Sequence, residues 1–278
     1  MIFIALDESE LQYVGEIGPG TLVRGDCLTV MPHIRPGSID MVLADLPYGT
    51  SECKWDSVIP LVPLWKEYKR IIKRNGAILL FGSQPFTSIL VCSNLAMFKY
   101  CWEWNKKFGI PAHAKRRPMK IHEDICVFSD GTEPYYPQMT KRDVPIRSGG
   151  NKGGSLTSAL RTRQEGWSKT YDMKFPTSII PDFPRELGRT VHPTQKPVAL
   201  MEYLILTYTA EGDIVLDNAA GSFPTGVACL NTNRKFIGIE KYPLPDKPIH
   251  PERNPNYFDG GVTRMHKRAV ELGLLDIA

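Results

Sequence analysis

The stretch that decides the fold is Val42-Leu43-Ala44-Asp45-Leu46-Pro47-Tyr48-Gly49. The apolar run leading into it, from Ile39 to Ala44, predicts a buried parallel strand, because strands covered on both faces are almost continuously apolar. The run stops at a carboxylate, a proline and an aromatic ring. In open α/β sheets, ligands bind beyond the carboxyl ends of the strands. We therefore expect these groups at the lip of a ligand-binding crevice.

The chemistry of this corner suits a planar ligand that carries an amino group. Asp45 offers an acceptor carboxylate, Leu46 offers a backbone carbonyl, and Tyr48 offers a flat ring. Pro47 biases the residue before it towards an extended conformation. A nucleobase fits this set of groups. From these residues alone, the alternative is an ordinary junction between a strand and a turn, with Asp45 as a capping residue.

The composition sets wide limits on the class of protein. The 278 residues suffice for one large α/β domain or a domain with an insert. A net charge of +4 allows a polyanionic partner without requiring one. We expect no membrane span, because no apolar run reaches about 18 residues. The six cysteines form no Cys-x-x-Cys pair, which predicts reduced thiols, a cytoplasmic protein and no metal site.

Short apolar segments alternate with segments of helical spacing in two parts of the chain. In the first part, strands are predicted at 21–24, 39–44, 77–81, 99–104 and 124–128, and helices at 27–34, 61–72 and 85–95, with Gly76 ending the second helix. In the second part, helices are predicted at 198–208 and 227–231, and strands at 213–217 and 235–240. This alternation predicts an α/β fold with a doubly wound, mostly parallel sheet.

A basic loop separates the strands predicted at 99–104 and 124–128. It contains Lys115, Arg116 and Arg117 and almost no acidic residue. Such a run of charge is usually a solvated face. Here the loop would lie at the same edge of the sheet as the predicted base pocket, which favours contacts with phosphates.

The alternation stops between Gly131 and Arg189. This stretch is rich in glycine, proline and basic residues interleaved with aromatic rings, and its candidate DNA-binding residues are Arg147, Lys152, Arg161 and Arg163. A segment this long without regular structure in a compact domain is usually functional or disordered. We interpret it as a DNA-reading insert, and the alternative is a flexible insert that makes no base contacts.

The second part of the chain has the pattern of a nucleoside-binding βαβ unit. A turn of mostly small residues, Asp217 to Gly226, lies between a strand and a helix, and Glu240 ends the next strand. Such a turn admits a ligand at a helix N-terminus, and such an acid can accept the ribose hydroxyls. Because this is not a true Gly-x-Gly-x-x-Gly motif, the pattern alone is weak evidence.

These motifs, in this order, resemble the S-adenosylmethionine (SAM)-dependent DNA amino-methyltransferases. The likeness is to the circularly arranged beta class, which places its catalytic motif before its cofactor motif. Asp45-Leu46-Pro47-Tyr48 matches the catalytic Asp-Pro-Pro-Tyr, and His122-Glu123-Asp124-Ile125 matches the acidic start of a later strand. His192-Pro193-Thr194-Gln195-Lys196-Pro197 matches the motif before the cofactor region, and Asp217 to Gly226 matches the cofactor loop.

The resemblance implies a Rossmann-like catalytic and SAM-binding domain at 21–130 and 190–278, a target-recognition insert at 131–189 and an N-terminal extension at 1–20. The implied catalytic residues are Asp45, Leu46, Pro47 and Tyr48. The implied SAM-binding residues are Asp26, His192, Thr194, Lys196, Asp217, Ala219, Gly221, Ser222 and Glu240. Among these, Lys196 and Thr194 would meet the methionine carboxylate and Glu240 the ribose.

The implied reaction is methyl transfer from SAM to N6 of an adenine flipped out of duplex DNA. Cytosine N4 stays open, because its amine has similar geometry, although an Asp at the head of the motif goes more often with adenine. A methyltransferase for RNA or a small molecule is a further alternative, and the basic insert argues against a small molecule. The resemblance also allows a homodimer and a companion restriction endonuclease without requiring either.

Two departures from the family pattern affect these expectations. Leu46 replaces the first catalytic proline but retains the backbone carbonyl that the family uses. Phe223-Pro224 stands where Gly-Thr is usual, so we expect a bulky side chain in place of close backbone approach and the loss of one N–H donor. This second departure favours the alternative of a catalytically weak DNA-binding protein that keeps the fold.

Overall fold

The computed structural model describes residues 13–50, 56–109, 111, 114–148, 169–180, 183–184, 195–241 and 257–276. Contacts divide the chain into two compact units, of which the smaller is Pro137–Thr177. The predicted catalytic residues and the described cofactor-binding residues lie in the larger unit. No helix within the described ranges combines the length and the apolar character that a bilayer crossing requires.

The regular elements follow one another along the chain in the order that the sequence predicts, with additions at both ends and in the insert. The strands are β1 (Tyr13–Ile17), β2 (Gly20–Arg24), β3 (Ile39–Ala44), β4 (Ile72–Gly82), β5 (Phe98–Asn105), β6 (His122–Phe128), β7 (Thr140–Ser148), β8 (Lys169–Lys174), β9 (Ile179–Ile180), β10 (Ile214–Asp217) and β11 (Lys235–Glu240). The helices are α1 (Cys27–Val30), α2 (Leu61–Ile71), α3 (Phe86–Ser93), α4 (Val198–Tyr208), α5 (Pro224–Asn231) and α6 (Tyr257–Glu271), and a 3-10 turn at Met31–His33 follows α1.

The larger unit is built on a nine-stranded sheet with the strand order β1-β2-β11-β10-β3-β4-β6-β5-β9. Among the described strands of this sheet, β1 and β6 run in the direction opposite to the other seven. The prediction of a doubly wound, mostly parallel sheet is therefore confirmed. The chain order reverses between β10 and β3, because β11 follows on one side and β4 on the other. Ligand crevices form at such a switch point.

The apolar run in β3 is explained by burial on both faces of the sheet. Met41 and Leu43 pack in the cluster that contains residues of α4, α5 and α6. Val42 and Ala44 pack in the opposite cluster, which contains residues of α1, α2 and α3. Fully burying one such aliphatic side chain contributes roughly 1.5–3 kcal/mol. The central strand therefore anchors both layers of helices and fixes the position of Asp45.

Two expectations about regular structure are wrong in detail. Helix α2 ends at Ile71, and Gly76 lies inside β4, because Ile72 is already extended (ψ 143°) and pairs with Ile39 of β3. The region predicted to lack regular structure contains three strands, and one of them, β9, extends the main sheet beside β5. The stretch predicted as an N-terminal extension contains β1, which pairs with β2.

The smaller unit contains an antiparallel pair of strands, β7 and β8. Their register runs from Thr140 opposite Lys174 to Ser148 opposite Lys169, with one irregularity. All six residues of β8 are exposed. The predicted DNA-binding residue Arg147 is exposed on β7, opposite Thr170.

The ring of Phe223 lies in the hydrophobic core and is fully buried. Its centroid is 5.3 Å from that of Phe258 on α6 and 6.2 Å from that of Phe236 on β11. Two glycines leave room for it. A Cβ at Gly238 would lie 2.7 Å from Phe223 Cε1, and a Cβ at Gly261 would overlap Phe223 Cδ2. Position 223 is thus a packing position between α5 and α6.

Gly261→Ala should destabilise the protein, although alanine normally stabilises a helix by about 1 kcal/mol relative to glycine. Overpacking against the Phe223 ring should cost about 1–3 kcal/mol, which outweighs this gain and makes the substitution destabilising. Urea unfolding measures the free energy of unfolding of each variant. Gly260→Ala, at a partly exposed position of the same helix, is the matched control and should be neutral or stabilising. A Gly261→Ala protein as stable as wild type would contradict this account of the packing.

Candidate active site

Four acidic side chains meet at one edge of the sheet. Asp45 directly follows β3, Asp217 ends β10 and Glu240 ends β11. Strand β6 is antiparallel to β4, so its second residue, Glu123, lies at the same edge. This edge includes the switch point between β3 and β10, where a crevice is expected.

The ammonium of Lys196 joins two of these carboxylates. Its Nζ atom lies 2.6 Å from Asp45 Oδ2 and 3.1 Å from Glu123 Oε2, and its side chain is only 6% exposed. Lys106 Nζ lies 2.8 Å from the other Glu123 oxygen, Oε1. Two carboxylates and two ammonium groups therefore form a cluster whose formal charges cancel. Such pairing is what a buried charge requires.

The pKa values in this cluster reflect burial opposed by opposite charge. Burial raises the pKa of Asp45, with Lys196 opposing and Glu123 reinforcing the effect. Burial alone would raise the pKa of Glu123, but the ammonium groups of Lys196 and Lys106 outweigh it and lower that pKa. Burial alone would lower the pKa of Lys196, but Asp45 and Glu123 outweigh it and raise that pKa. Lys196 therefore stays charged and favours the ionised form of Asp45.

The predicted catalytic motif forms a compact corner around Asp45. The Tyr48 hydroxyl donates to Asp45 Oδ1 at 2.8 Å. The Tyr48 ring stacks on Phe86, with centroids 5.2 Å apart and planes inclined by 26°. The side chain of Leu46 is buried in the core on the α1–α3 face, and Pro47 is partly buried. The corner thus presents an oriented carboxylate beside an aromatic ring that is held from behind.

The cofactor loop, residues 217–226, is held to two acids. Asp217 accepts hydrogen bonds from the Ala219 backbone at 3.1 Å and from Thr225 Oγ1 at 2.6 Å. The Gly221 backbone donates to Glu240 Oε2 at 2.7 Å. Burial raises the pKa of Asp217 and the pKa of Glu240 to about 7 each. These acids fix the backbone of the turn before the N-terminus of α5, an end of a helix that favours anionic or polar ligands.

Two adjacent residues connect this loop to the catalytic corner. Ser222 Oγ donates to Gln195 Oε1 at 2.7 Å. The next residue, Lys196, reaches Asp45. The segment before α4 therefore fixes the predicted cofactor loop relative to the Asp45 carboxylate.

Comparison with known proteins identifies the family. The family described as DNA methylase, which covers N6 and N4 methyltransferases, matches residues 39–243. The chain belongs to this family. It is 30% identical over 242 residues to DNA adenine methyltransferase YhdJ of Escherichia coli (strain K12), an alignment that covers 79% of this chain and 78% of the relative.

Solved structures agree on the fold. The SAM complex of M1.HpyAVI matches with a TM-score of 0.56 at 23% identity, covering 87% of this chain and 98% of that one. The cytosine-N4-specific PvuII DNA methyltransferase matches with a TM-score of 0.58 at 15% identity, covering 92% and 97%. The chain is a DNA methyltransferase.

The residues of the methyltransferase site fit a nucleoside-bearing cofactor. Asp217 is a buried acceptor and Glu240 a partly buried one, at the ends of adjacent strands. Asn218, which follows β10, accepts a hydrogen bond from the Tyr68 hydroxyl at 2.5 Å. The amide nitrogen of Asn218 is buried, and no hydrogen-bond partner for it lies in the described part of the chain. One donor and two acceptors at neighbouring strand ends are groups that a polar ligand can bind.

Asp26 occupies a capping position. Its Oδ1 accepts from the Leu28 backbone at 2.9 Å at the start of α1, and its Oδ2 lies 2.6 Å from Lys241 Nζ. The Gly25 backbone donates to the Glu240 carbonyl at 3.0 Å, so Asp26 lies at the same edge of the sheet as Glu240. The structure therefore realises the cap and leaves the predicted contact with the cofactor as a prediction.

Some of the remaining predicted residues lie outside the described part of the chain, and the others lie within it. His192, Thr194, Lys152, Arg161 and Arg163 lie outside the described residues. Lys115, Arg116 and Arg117 are exposed in the loop between β5 and β6, at the edge that carries Asp45. The Lys196 ammonium contacts Asp45 and Glu123, because a buried charge needs nearby countercharges. Its contact with the methionine carboxylate stays a prediction.

Sequence reasoning missed several residues of the site. Glu123 and Gln195 lie inside motifs that match the family, so their positions were available but their contacts were not. Asn218 follows a predicted SAM-binding residue directly. Lys106 belongs to the basic run between β5 and β6, and Tyr68 to the apolar face of α2, but no local pattern marks their contacts with the site.

Lys196→Met should destabilise the methyltransferase, because two carboxylates would be left together without their shared cation. Breaking a buried pair in this way costs about 3 kcal/mol. Without the ammonium, the folded-state pKa values of Asp45 and Glu123 rise. The loss in unfolding free energy should therefore grow as pH increases from 5 to 8. Urea unfolding of the variant and of the wild type at pH 5 and at pH 8 measures this loss.

The matched control is Lys73→Met, since Lys73 pairs with Asp40 at 2.5 Å but its side chain is 50% exposed. This variant should lose less than about 1 kcal/mol. Equal losses in the two variants, or a Lys196→Met loss that does not depend on pH, would contradict the role given to the buried cluster.

Proposed function

We propose that this methyltransferase moves the methyl group of SAM to the exocyclic N6 of adenine in duplex DNA. The observation that carries the proposal is the Asp45 corner, where an oriented carboxylate adjoins the Tyr48 ring at the edge that also holds the cofactor loop. An acceptor beside a flat surface suits the amino group of a base that has left the helix. The name of the E. coli relative, DNA adenine methyltransferase, supports adenine as the target.

The chemical difficulty is that the amine of adenine is a poor nucleophile, because its lone pair is delocalised into the ring. In the proposed mechanism, Asp45 accepts a hydrogen bond from one N–H and the Leu46 carbonyl accepts one from the other. Both contacts favour a tetrahedral nitrogen whose lone pair is free to attack. Asp45 is also placed to receive the proton that nitrogen loses. Lys196 supports this role, because it favours the ionised form of Asp45.

Tyr48 would hold the plane of the base. Phe86 already stacks on Tyr48, so the ring has little freedom to turn. Stacking of a base on an aromatic side chain is worth about 1–3 kcal/mol. Positioning of the amine against an in-line electrophile would supply most of the catalysis.

SAM supplies an activated methyl group on a sulfonium centre. We assign its ribose to Glu240, and we assign the rest of its binding surface to Asp26, Lys196, Asp217, Ala219, Gly221 and Ser222. The Glu240 and Asp217 carboxylates, at the ends of β11 and β10, support this assignment. His192 and Thr194 stay as predicted contacts. We assign DNA contacts to the exposed basic residues Lys115, Arg116, Arg117 and Arg147. Contacts by Lys152, Arg161 and Arg163 stay predictions. A homodimer and a companion restriction endonuclease also stay predictions.

Asp45→Ala should abolish methyl transfer while DNA affinity stays within a few-fold, because the carboxylate acts in the transition state. The assay is transfer of labelled methyl from SAM to unmethylated DNA. Leu95→Ala, at an exposed position on the opposite edge of the sheet, is the control and should keep wild-type kcat. An Asp45→Ala protein that retains a tenth of wild-type turnover would remove Asp45 from the catalytic role.

Nucleoside analysis of the methylated DNA tests the choice of base. We expect N6-methyladenine as the main product, separated by mass after digestion. N4-methylcytosine as the main product would identify cytosine rather than adenine as the target base, and the DNA methyltransferase reaction would still stand.

SAM affinity should weaken as pH falls below about 7. Burial raises the pKa of Glu240 to about 7, so the carboxylate that accepts the ribose hydroxyls is progressively protonated below that pH. One protonation weakens binding at most tenfold per pH unit. Calorimetric titration between pH 5.5 and 8 should show this slope, and Glu240→Gln should bind SAM more weakly with a smaller slope. An identical pH profile in Glu240→Gln would remove Glu240 from the ribose site.

A further inference from the structure

The loop between β5 and β6 combines positive charge with exposed apolar side chains. Residues 106–121 contain six Lys or Arg residues and no acidic residue. Phe108 is 65% exposed, Met119 49% and Ile121 39%. Single exposed apolar residues are ordinary on protein surfaces, but three on one basic loop call for a partner that is both apolar and anionic.

The apolar side chains come from two arms of the loop that touch each other. A Cβ at Gly109 would lie 3.0 Å from Met119 Cβ and 3.2 Å from Ile121 Cγ2. The outgoing arm, which carries Phe108, therefore lies directly against the returning arm. We call Phe108, Met119 and Ile121 the apolar tip.

Both arms of the loop are tied to the catalytic corner. On the outgoing arm, Lys106 pairs with Glu123, which pairs with Lys196 beside Asp45. On the returning arm, Lys120 Nζ donates to the Gln84 carbonyl at 3.4 Å, two residues before Phe86, the ring that supports Tyr48. The apolar tip thus projects from the elements that form the proposed base pocket.

We propose that the apolar tip, led by Phe108, enters the duplex at the gap that the flipped target base leaves. This rests on the proposed function. Extruding a base costs stacking and pairing energy, and apolar side chains inserted between base pairs can replace part of the lost stacking. Lys115, Arg116 and Arg117 flank the tip and contact the phosphates on either side of the gap.

The test compares two duplexes. The site is first found by mapping the positions that the wild-type protein methylates in unmethylated plasmid DNA. Short duplexes with that site then carry the target base either opposite its normal partner or opposite an abasic position, where extrusion needs little help. Phe108→Ala should lower kcat/KM on the intact duplex about tenfold, and the loss should shrink to about twofold on the abasic duplex. Phe108→Trp should retain activity on both.

Two controls separate insertion from other effects. Leu95→Ala removes a side chain of matched exposure, 64%, from the opposite edge of the sheet and should leave kcat/KM unchanged on both duplexes. The triple variant Lys115→Gln, Arg116→Gln, Arg117→Gln should lose similar factors on both duplexes and show a flatter salt dependence of DNA affinity. Urea unfolding should give Phe108→Ala wild-type stability, since the side chain is exposed.

Full activity of Phe108→Ala on the intact duplex, or equal losses on both duplexes, would overturn the insertion. If the wild-type protein methylates no DNA, the proposed function itself fails, which is a different result. A Phe108→Ala protein that has lost stability would show that the ring has a packing role, which also overturns the proposal.

Discussion

The active site depends on the pairing of one buried ammonium group. Isolated in the interior, the charge of Lys196 would cost several kcal/mol, so it needs countercharges close by. These come from Asp45 after β3 and Glu123 on β6, while Lys196 itself precedes α4. Compensation of a single charge therefore fixes three segments of the chain, two of which are 151 residues apart in sequence. The orientation of the catalytic carboxylate follows from this constraint.

The same segment connects the predicted cofactor loop to the predicted catalytic corner. Gln195 bonds to Ser222 in the loop, and the adjacent Lys196 bonds to Asp45. Only one peptide unit separates the side chain that bonds to the loop from the side chain that bonds to the carboxylate. The loop is also held to Glu240, whose pKa is near 7, so its hydrogen bond from Gly221 responds to a modest change of pH or to a bound ligand.

The sequence predicted what local pattern determines and missed what depends on distant partners. β3, α4 and β11 have the bounds that the sequence predicted, because each is strongly apolar and bounded by polar or turn residues. Asp45, Asp217 and Glu240 were predicted as site residues because they lie where parallel strands end. The boundary between α2 and β4 was missed because pairing with Ile39 overrides a helical spacing. The contact between Lys196 and Glu123 was missed because an ion pair between distant segments leaves no periodic trace.

Phe223 shows why a local motif has to be judged together with the residues it packs against. As a sequence feature, it looked like an obstacle in the cofactor loop. Its backbone keeps the left-handed conformation (φ 55°) that a glycine adopts readily, at a cost of about 1–2 kcal/mol. Burying the ring recovers roughly 1.5–3 kcal/mol, and Gly238 and Gly261 make the space. Because a fully buried ring cannot line an open crevice, the Phe223 side chain affects the packing of α6 rather than the surface offered to SAM.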